Sequence, residues 1–149
     1  MFQKAAIEDL DTLARLALLL WPNHTFEELR GDIELLLSNP NAAFFLYFAQ
    51  DLPVGFAQCQ LRHDYVEGTE NSPVGYLEGV FVFESHRKQG VAAELLRQCE
   101  RWAVEKGCAE FASDCELENA ESYAFHLKYG FREANRVICF CKKLTPLND

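Results

Sequence analysis

The segment from Tyr76 to Lys106 constrains the fold more than any other part of the sequence. An apolar run, Tyr76 to Phe83, leads into a basic glycine turn, His86 to Ala92, and an amphipathic stretch from Val91 to about Lys106 follows. These patterns predict a buried strand and then a helix. The first N–H groups of a helix have no partner inside it, so a basic glycine turn at this place is typical of an anion site. The turn is predicted to bind a pyrophosphate.

The turn does not match either of the common nucleotide-binding loops. Neither G-x-x-x-x-G-K-[ST] nor G-x-G-x-x-G occurs, and the pattern present is Arg87-x-x-Gly90-x-Ala92. Gly90 lets the backbone approach a phosphate closely, and Arg87 and Lys88 add charge-assisted contacts. The alternative is a strand-to-helix turn in which the basic residues stand by chance.

The whole chain bounds the class of protein. Its 149 residues suffice for a single domain, 1–149, with a sizeable core. The net charge is −9, and residues 1–75 hold 4 basic and 11 acidic side chains. This balance argues against a nucleic-acid ligand and favours a cationic partner, although a solvated acidic surface explains it equally well.

Further features of the sequence bear on the location of the protein and on whether it binds a metal. Apolar runs such as Leu16 to Trp21 are far shorter than the ~18 residues of a membrane span, and no signal peptide is recognised. We therefore expect a cytoplasmic protein that does not bind a membrane. The six cysteines form no C-x-x-C and lack histidines at zinc-ligand spacing, which predicts no metal site and buried free thiols. Cys139 and Cys141 would share one face of a strand.

Hydrophobic periodicity and turn residues predict alternating helices and strands. Thr25 and Glu28 form a capping box before the second helix, and Gly107 and Gly130 end the last two. The predicted strands are Phe2–Ala6, Ala43–Ala49, Val54–Leu61, Val74–Phe83, Glu110–Asp114 and Val137–Lys143. The predicted helices are Glu8–Trp21, 26–38, Val91–Lys106 and Asn119–Tyr129. This order favours an α+β (α/β) protein with one mixed sheet and helices on its faces.

The motifs resemble those of a known superfamily. Arg87-x-x-Gly90-x-Ala92 is similar to the Q/R-x-x-G-x-G/A signature of Gcn5-related N-acetyltransferases (GNAT). The run from Asn119 to Phe131 is similar to their second motif, N-x-x-A/S-x-x-F-Y-x-x-x-G-F, with His126 at the tyrosine. Further pieces resemble short aminoglycoside 6′-N-acetyltransferases: Trp21-Pro22, Arg62–Val66, Leu77–Val82, Ala112–Asp114 and Arg136–Ile138.

The resemblance implies a fold and a reaction. The GNAT fold is a single mixed sheet flanked by about four helices, with a splayed central strand. The reaction would transfer the acetyl group of acetyl-CoA to the 6′-amine of an aminoglycoside, by direct attack in a ternary complex, without a metal. Such an enzyme gives antibiotic resistance. A polyamine or a protein amine is the alternative acceptor, and a CoA-binding module without turnover is the alternative class.

The resemblance also implies which residues bind the cofactor. Main-chain groups of Phe81 and Val82 would meet pantetheine and the thioester oxygen, where an N–H donor stabilises developing charge. Gly79, inside the same strand, marks a bulge or a close ligand approach, or is a tolerated glycine. The remaining cofactor-binding residues are Arg87, Lys88, Gln89, Gly90, Val91, Ala92 and Asn119.

Three residues are candidates for catalysis. An alkyl ammonium keeps its proton to about pH 10, so a carboxylate must orient it and accept a proton. Glu78 and Asp114 are the candidates for this carboxylate. The alternatives are that Glu78 is an exposed residue on the polar face of its strand and that Asp114 only caps a loop. His126 could protonate the departing thiolate, as tyrosine is thought to do in other members, or it could serve packing alone. Tyr129 is a less suitable substitute.

Residues before the splayed strand are expected to bind the acceptor. Aromatic faces pack on sugar rings and carboxylates pair with ammonium groups. The set consists of Trp21, Asp64, Tyr65, Glu67 and Glu70, together with Glu78 and Asp114, and Trp21 as a simple core residue is the alternative. The apolar closing strand Val137–Phe140 predicts a homodimer, because sheet edges tend to be paired or covered.

Overall fold

The computed structural model describes residues 1–148 and contains one sheet and four helices. The strands are β1 (Phe2–Lys4), β2 (Ala42–Ala49), β3 (Leu52–Arg62), β4 (Val74–Val82) and β5 (Phe111–Ser113). The helices are α1 (Leu10–Leu20), α2 (Phe26–Leu37), α3 (Val91–Glu105) and α4 (Ala120–Lys128). In the described part of the chain, no helix is long and apolar enough to cross a bilayer.

The five strands form a single mixed sheet in the order β1-β2-β3-β4-β5. The first four strands are antiparallel to their neighbours, and β5 runs parallel to β4. The expected α+β class, with one mixed sheet and helices on its faces, is confirmed. A parallel pair needs a crossover, and α3 supplies it between β4 and β5.

The helices divide the core into two halves, one on each face of the sheet. One half joins α1 and α2 to β2 and β3, through Leu13, Ile33, Phe44 and Phe56 among others. The other half joins α3 to the opposite faces of the same strands. The sheet is therefore covered on both faces, and its free surface lies at the edge and in the gap beside β4.

The pairing between β4 and β5 stops early, which produces the splayed strand that the resemblance implies. Only Gly75–Leu77 pairs with Phe111–Ser113, while β4 continues to Val82. On its other side β4 pairs with β3, where Gln58 faces Gly79 but Cys59 faces Leu77. Glu78 is the extra residue of this bulge. Bulges increase local twist and turn a strand away from its neighbour.

The predicted last strand, Val137–Lys143, is wrong. Residues 132–148 lie outside any helix or strand, and the apolar side chains in this segment face solvent, with Phe140 91% exposed. A strand needs a neighbour for its backbone hydrogen bonds, and this segment pairs with no strand of the described sheet. We call residues 132–148 the C-terminal segment.

The prediction of buried thiols is right for only half of the cysteines. Cys59, Cys99 and Cys108 are buried around α3, where burial raises the pKa of the Cys99 and Cys108 thiols. Cys115, Cys139 and Cys141 are exposed. The first follows β5 in a loop, and the other two lie in the C-terminal segment, so no sheet covers them.

Candidate active site

The turn before α3 has the geometry of an anion site. Gly90 adopts φ +83°, a left-handed conformation that favours glycine, and open space lies where its side chain would be. The earliest backbone bond of the helix runs from Glu94 N to Gly90 O at 3.0 Å. The N–H groups of residues 91–93 therefore have no partner within the helix, and they point out of its positive end.

The side chains of this turn contribute less than the sequence suggests. Arg87 Nε donates to Val82 O at 2.8 Å, so this side chain fastens the turn to the end of β4. Val91 is buried in the core and can offer an anion only its main chain. Lys88 and Gln89 are exposed, and Ala92 is half-buried. The turn is mainly a main-chain site, with Lys88 as its exposed cation.

The open side of β4 presents unused peptide groups. Phe83 N donates to Val54 O at 2.8 Å, which makes this a hydrogen-bonded pair with β3. In an antiparallel ladder the direction of the peptide groups alternates. The peptide groups of Phe81 therefore face β3, and those of Val80 and Val82 face the gap. Of the two predicted main-chain ligands, Val82 therefore faces the gap and Phe81 does not, while Val80 faces the gap as well.

Four side chains connect the bulge of β4 to the end of β5. Arg62 Nη2 donates to both carboxylate oxygens of Glu78, at 2.5 and 2.9 Å, and its guanidinium stacks 3.5 Å from the centre of the Tyr76 ring. The Tyr76 hydroxyl donates to Asp114 Oδ2. The predicted pair of carboxylates thus meets at one place. The Glu78 side chain is 16% exposed, which removes the alternative of a surface glutamate.

Burial and hydrogen bonds change the pKa of two members of this cluster, Tyr76 and Arg62. Burial, reinforced by the hydrogen bond to Asp114, raises the pKa of Tyr76 well above its ordinary value, so the phenol stays a donor. Burial lowers the pKa of Arg62, but the hydrogen bond and charge of Glu78 outweigh it and raise that pKa. The cluster contains two acidic residues, Glu78 and Asp114, and one basic residue, Arg62, so its composition suits a cationic ligand.

Trp21 packs on the core beneath α1 and also lies beside Gly79 of β4. A side chain on Gly79 would lie 2.6 Å from Trp21 Cζ2, so the glycine exists to admit the indole. Trp21 is half-buried and meets Phe56 edge to face, with ring centres 6.1 Å apart. Gly79 was expected to mark a bulge or a ligand approach. It lies at the bulge, and the group that approaches it is Trp21.

His126 lies beside the end of β5 and is half-buried. Its Nδ1 is 2.6 Å from Ser122 O, and its Nε2 is 2.8 Å from Ser113 Oγ. Tyr129 is turned toward the core around α3, where it packs on Phe125 with ring centres 5.0 Å apart. Of these two candidates for the acid, only His126 joins the polar groups of the gap.

Asn119 has a structural task in this region. Its side chain accepts from Ser122 N at 3.0 Å, so it caps α4. The prediction that Asn119 also binds the cofactor therefore depends on groups other than this capped oxygen.

The other residues predicted to bind the acetyl acceptor lie in the loop between β3 and β4, and they differ in exposure and in contacts. Val66 packs on Tyr76 and holds the loop at the acidic cluster, while Asp64 and Tyr65 are exposed, the latter by 77%. Glu67 accepts from Asn135 in the C-terminal segment at 2.9 Å.

Glu70 is exposed in the same loop, and its own N–H donates to a carboxylate. The acceptor is Glu110, whose pKa is lowered by this hydrogen bond and by the Asn71 side chain. The polar contacts of the Glu110 carboxylate fix this end of the loop.

A cavity of about 830 Å³ opens between β5, α4 and the C-terminal segment. Its lining includes Ser113, Asp114, Tyr123, His126, Phe131 and Ile138. The gap beside β4 and this cavity meet at Ser113 and Asp114, so the acidic cluster is reached from two sides.

Sequence reasoning missed four contributors to the site. Arg62 and Ser113 lie in runs quoted only for their resemblance, Tyr76 only begins the apolar run before the turn, and Val80 looks like any other apolar strand residue. An alternation of strand faces could have identified Val80. The contacts of Arg62, Tyr76 and Ser113 depend on which strands are neighbours, which the sequence does not state.

Comparison with known proteins places the chain in a family. The model of the acetyltransferase (GNAT) family matches residues 10–131. The aminoglycoside N(6′)-acetyltransferase type 1 of Salmonella typhimurium (strain LT2) is 43% identical over 124 residues, which are 83% of this chain and 86% of that protein.

Two solved structures of the aminoglycoside N-acetyltransferase AAC(6′)-Iy agree with this placement. The structure in complex with CoA is 38% identical, with a TM-score of 0.94, and covers 97% of this chain and 95% of that chain. The structure in complex with the bisubstrate analogue CoA-S-monomethyl-acetylneamine has the same identity, a TM-score of 0.93, and covers 97% and 98%. This chain belongs to the GNAT acetyltransferase family.

Proposed function

We propose that this chain transfers the acetyl group of acetyl-CoA to the 6′-amine of an aminoglycoside antibiotic. The observation that carries the proposal is the meeting of an open strand edge with an acidic cluster, in which Glu78 is half-buried and Asp114 is exposed. Relatives that share 38–43% of their residues with this chain are named for this activity or bind a bisubstrate analogue. Resistance to such antibiotics is the expected consequence in a cell.

The main-chain groups of the turn and of the gap suit two parts of acetyl-CoA, the pyrophosphate and pantetheine. The free N–H groups of residues 91–93 suit the pyrophosphate, with Lys88 as an additional cation. The outward peptide groups of Val80 and Val82 suit pantetheine, which pairs like an added strand. When bound, acetyl-CoA supplies a thioester carbonyl that a neutral amine can attack.

The acidic cluster would receive the acceptor. Glu78 and Asp114 hold the ammonium form of the 6′-amine, and one of them accepts its proton directly or through water. Trp21 and Tyr65 pack on the sugar rings, and Asp64, Glu67 and Glu70 attract the other ammonium groups. Direct attack in a ternary complex requires no covalent enzyme intermediate. No metal has a role in this scheme.

Mass spectrometry of a single reaction tests the proposal. Kanamycin incubated with acetyl-CoA and the protein should gain one acetyl group, and fragmentation should place it on the 6′-nitrogen. Thiol release should require the aminoglycoside. Comparison of kcat/KM over a panel of amines distinguishes a polyamine or a protein amine as the true acceptor. Tight CoA binding without acetylation of any amine would instead establish a binding module.

The C-terminal segment bears on the oligomeric state, and a homodimer is part of the proposal. Val137, Ile138, Phe140, Leu144 and Leu147 are each at least 70% exposed. The outer edge of β5 lies beside the cavity next to this segment. Pairing of one copy's segment with the edge of another would cover both. Light scattering should return about twice the mass of the 17.0 kDa chain, and Ile138→Asp should lower it.

A cytoplasmic location is also part of the proposal, because the reaction consumes acetyl-CoA. Fractionation of cells that produce the protein should recover the acetyltransferase activity with the cytoplasm. Recovery from the periplasm or the membrane would contradict it.

A further inference from the structure

Both ring nitrogens of His126 contact a polar group, and the two groups differ in whether they can donate a hydrogen bond. Nδ1 lies 2.6 Å from Ser122 O, a carbonyl that can only accept, so Nδ1 carries a proton. Nε2 lies 2.8 Å from the hydroxyl of Ser113, which can donate or accept. The same arrangement therefore suits both forms of the ring, because Ser113 can donate to Nε2 of the neutral ring and accept from Nε2–H of the imidazolium.

Ser113 lies where the two central strands separate. It is the last residue of β5 that pairs with β4, opposite Leu77. Its hydroxyl donates a long hydrogen bond, 3.3 Å, to Leu77 O, which places Oγ between the strands and at the start of the gap; the relay requires this proton to turn from Leu77 O toward the sulfur. Next along the two strands come Glu78 and Asp114, the carboxylates of the acidic cluster.

Aromatic rings restrict the orientation of His126. Phe125 and Phe131 stand edge to face against it, with ring centres 5.6 and 5.0 Å away. The bond of Nδ1 to the backbone of its own helix fixes the ring further. His126 therefore reaches the gap through the hydroxyl of Ser113 and not by direct projection.

We propose that Ser113 and His126 form a proton relay that protonates the leaving thiolate of CoA. The hydroxyl of Ser113 gives its proton to the sulfur as the carbon–sulfur bond breaks, and Nε2–H of the imidazolium replaces that proton on Oγ. Nδ1 keeps its proton, His126 becomes neutral, CoA leaves as the thiol, and the ring regains a proton from water. The relay rests on the proposed acetyl transfer and assigns Ser113, rather than His126, to the contact with sulfur.

Imidazole nitrogen NMR tests the relay without turnover. Of the four histidines, His126 is assigned by its loss in His126→Asn. The free protein should show a proton on Nδ1. Addition of CoA should shift the Nε2 resonance, whereas desulfo-CoA, which lacks only the sulfur, should leave it near its free position. In Ser113→Ala this difference between the two ligands should vanish. Equal shifts with both ligands in the wild type would overturn the relay.

Kinetics supply the second test. Ser113→Ala should lower kcat for acetyl transfer about 10- to 100-fold, within the range of general acid catalysis, at an unchanged KM for acetyl-CoA. Ser113→Thr, which keeps the hydroxyl, should recover most of it. Ser38→Ala, at the end of α2 and far from the gap, is the matched control and should behave as wild type.

The leaving group separates a chemical role from a structural one. The acetyl ester of seleno-CoA releases a selenolate, a much weaker base than a thiolate, so it should restore the rate of Ser113→Ala toward wild type. A defect of equal size with both donors, or a wild-type kcat in Ser113→Ala, would overturn the relay while leaving acetyl transfer intact. Failure of the wild type to bind CoA would overturn the proposed function, and the relay with it.

Discussion

The turn before α3 and the bulged edge of β4 both suit a charged ligand, but they are built differently. The edge is defined here by Arg62, Tyr76, Glu78 and Asp114. The turn offers main-chain N–H groups, and most of its side chains are buried, bonded to the backbone or directed to solvent. The edge offers side chains that already pair with one another, Arg62 with Glu78 and Tyr76 with Asp114. A main-chain site depends on conformation, whereas a side-chain site depends on residue identity.

This difference predicts which kinetic parameter each region controls. Changes at the edge should affect the acceptor and the chemical step, because the carboxylates meet the amine. Changes at the turn should affect acetyl-CoA, and only where they disturb the backbone. The experiments below are ordered by the size of the expected effect.

Neutralising the carboxylates of the edge should have the largest effect. Glu78→Gln and Asp114→Asn keep the shape and one acceptor oxygen of each side chain but remove the proton acceptor and the charge that holds an ammonium. General base catalysis is worth about 100-fold or more, so kcat/KM for kanamycin should fall at least that far, at an unchanged KM for acetyl-CoA. Steady-state kinetics with each substrate varied in turn measure both values.

Glu105→Gln is the matched control for these variants. Glu105 also pairs with an arginine, Arg101, at 3.4 Å, but it is exposed on α3. It should retain wild-type kinetics, because an exposed ion pair contributes little. If Glu78→Gln changed the KM for acetyl-CoA as much as that for kanamycin, the separation of the two regions would be wrong.

Distorting the backbone of the turn should have the next largest effect. Gly90→Ala forces a left-handed conformation on alanine, which costs about 1–2 kcal/mol, and it shifts the N–H groups that face the pyrophosphate. We expect the KM for acetyl-CoA to rise about 10-fold, the equivalent of about 1.4 kcal/mol, with little change in kcat.

Gly107→Ala is the control that distinguishes the effect of backbone strain from a loss of acetyl-CoA binding. Gly107 also has a positive φ, +90°, with open space beside it, but it follows the end of α3. Both variants should lose similar stability in a denaturant titration, and only Gly90→Ala should bind acetyl-CoA more weakly. An equal loss of binding in Gly107→Ala would show that general destabilisation, not the turn, is being measured.

Adding a methyl group at Gly79, next to Trp21, should have an intermediate effect. Gly79→Ala places a methyl group 2.6 Å from Trp21, and overpacking of this kind costs about 1–3 kcal/mol. Displacement of the indole should also raise the KM for kanamycin several-fold. Gly31→Ala, in the open middle of α2, should instead stabilise the protein by about 0.5–1 kcal/mol. Thermal unfolding and acceptor kinetics together check both expectations.

The sequence predicted the elements better than their contacts. Hydrophobic periodicity placed nine of the described helices and strands to within a few residues, and the motif around Gly90 located the turn. These features are local, because spacing and turn residues determine them. The pairing of Arg62 with Glu78, 16 residues apart, and of Tyr76 with Asp114, 38 apart, depends on strand neighbours and on the bulge.

The wrong prediction at the C-terminus has a similar cause. The apolar pattern at Val137–Phe140 is typical of a strand, but periodicity does not say which neighbour the strand would pair with. In the described chain these side chains face solvent. The same residues are therefore the basis on which the homodimer is proposed.

The smallest effect is expected from Tyr76→Phe, which tests whether the edge works by charge alone. The variant keeps the ring under Arg62 and removes the hydrogen bond to Asp114, worth about 0.5–1.5 kcal/mol. We expect kcat/KM for kanamycin to fall about 3- to 10-fold. A fall as large as that of Asp114→Asn would mean that the tyrosine does more than orient the carboxylate.

The alkaline stability of the same variant checks the cause of the Tyr76 pKa. Burial raises this pKa in the folded state, so the unfolded chain loses its proton first as the pH rises. The stability that the neutral phenol contributes is complete below about pH 10, the pKa of an unfolded tyrosine, and declines above it. Wild type should therefore be the more stable protein at pH 8, and its advantage over Tyr76→Phe in urea titrations should shrink between pH 10 and the pKa of the folded state. A constant advantage across that range would show that the hydrogen bond and burial do not favour the neutral phenol, and the edge would then hold Asp114 by packing alone.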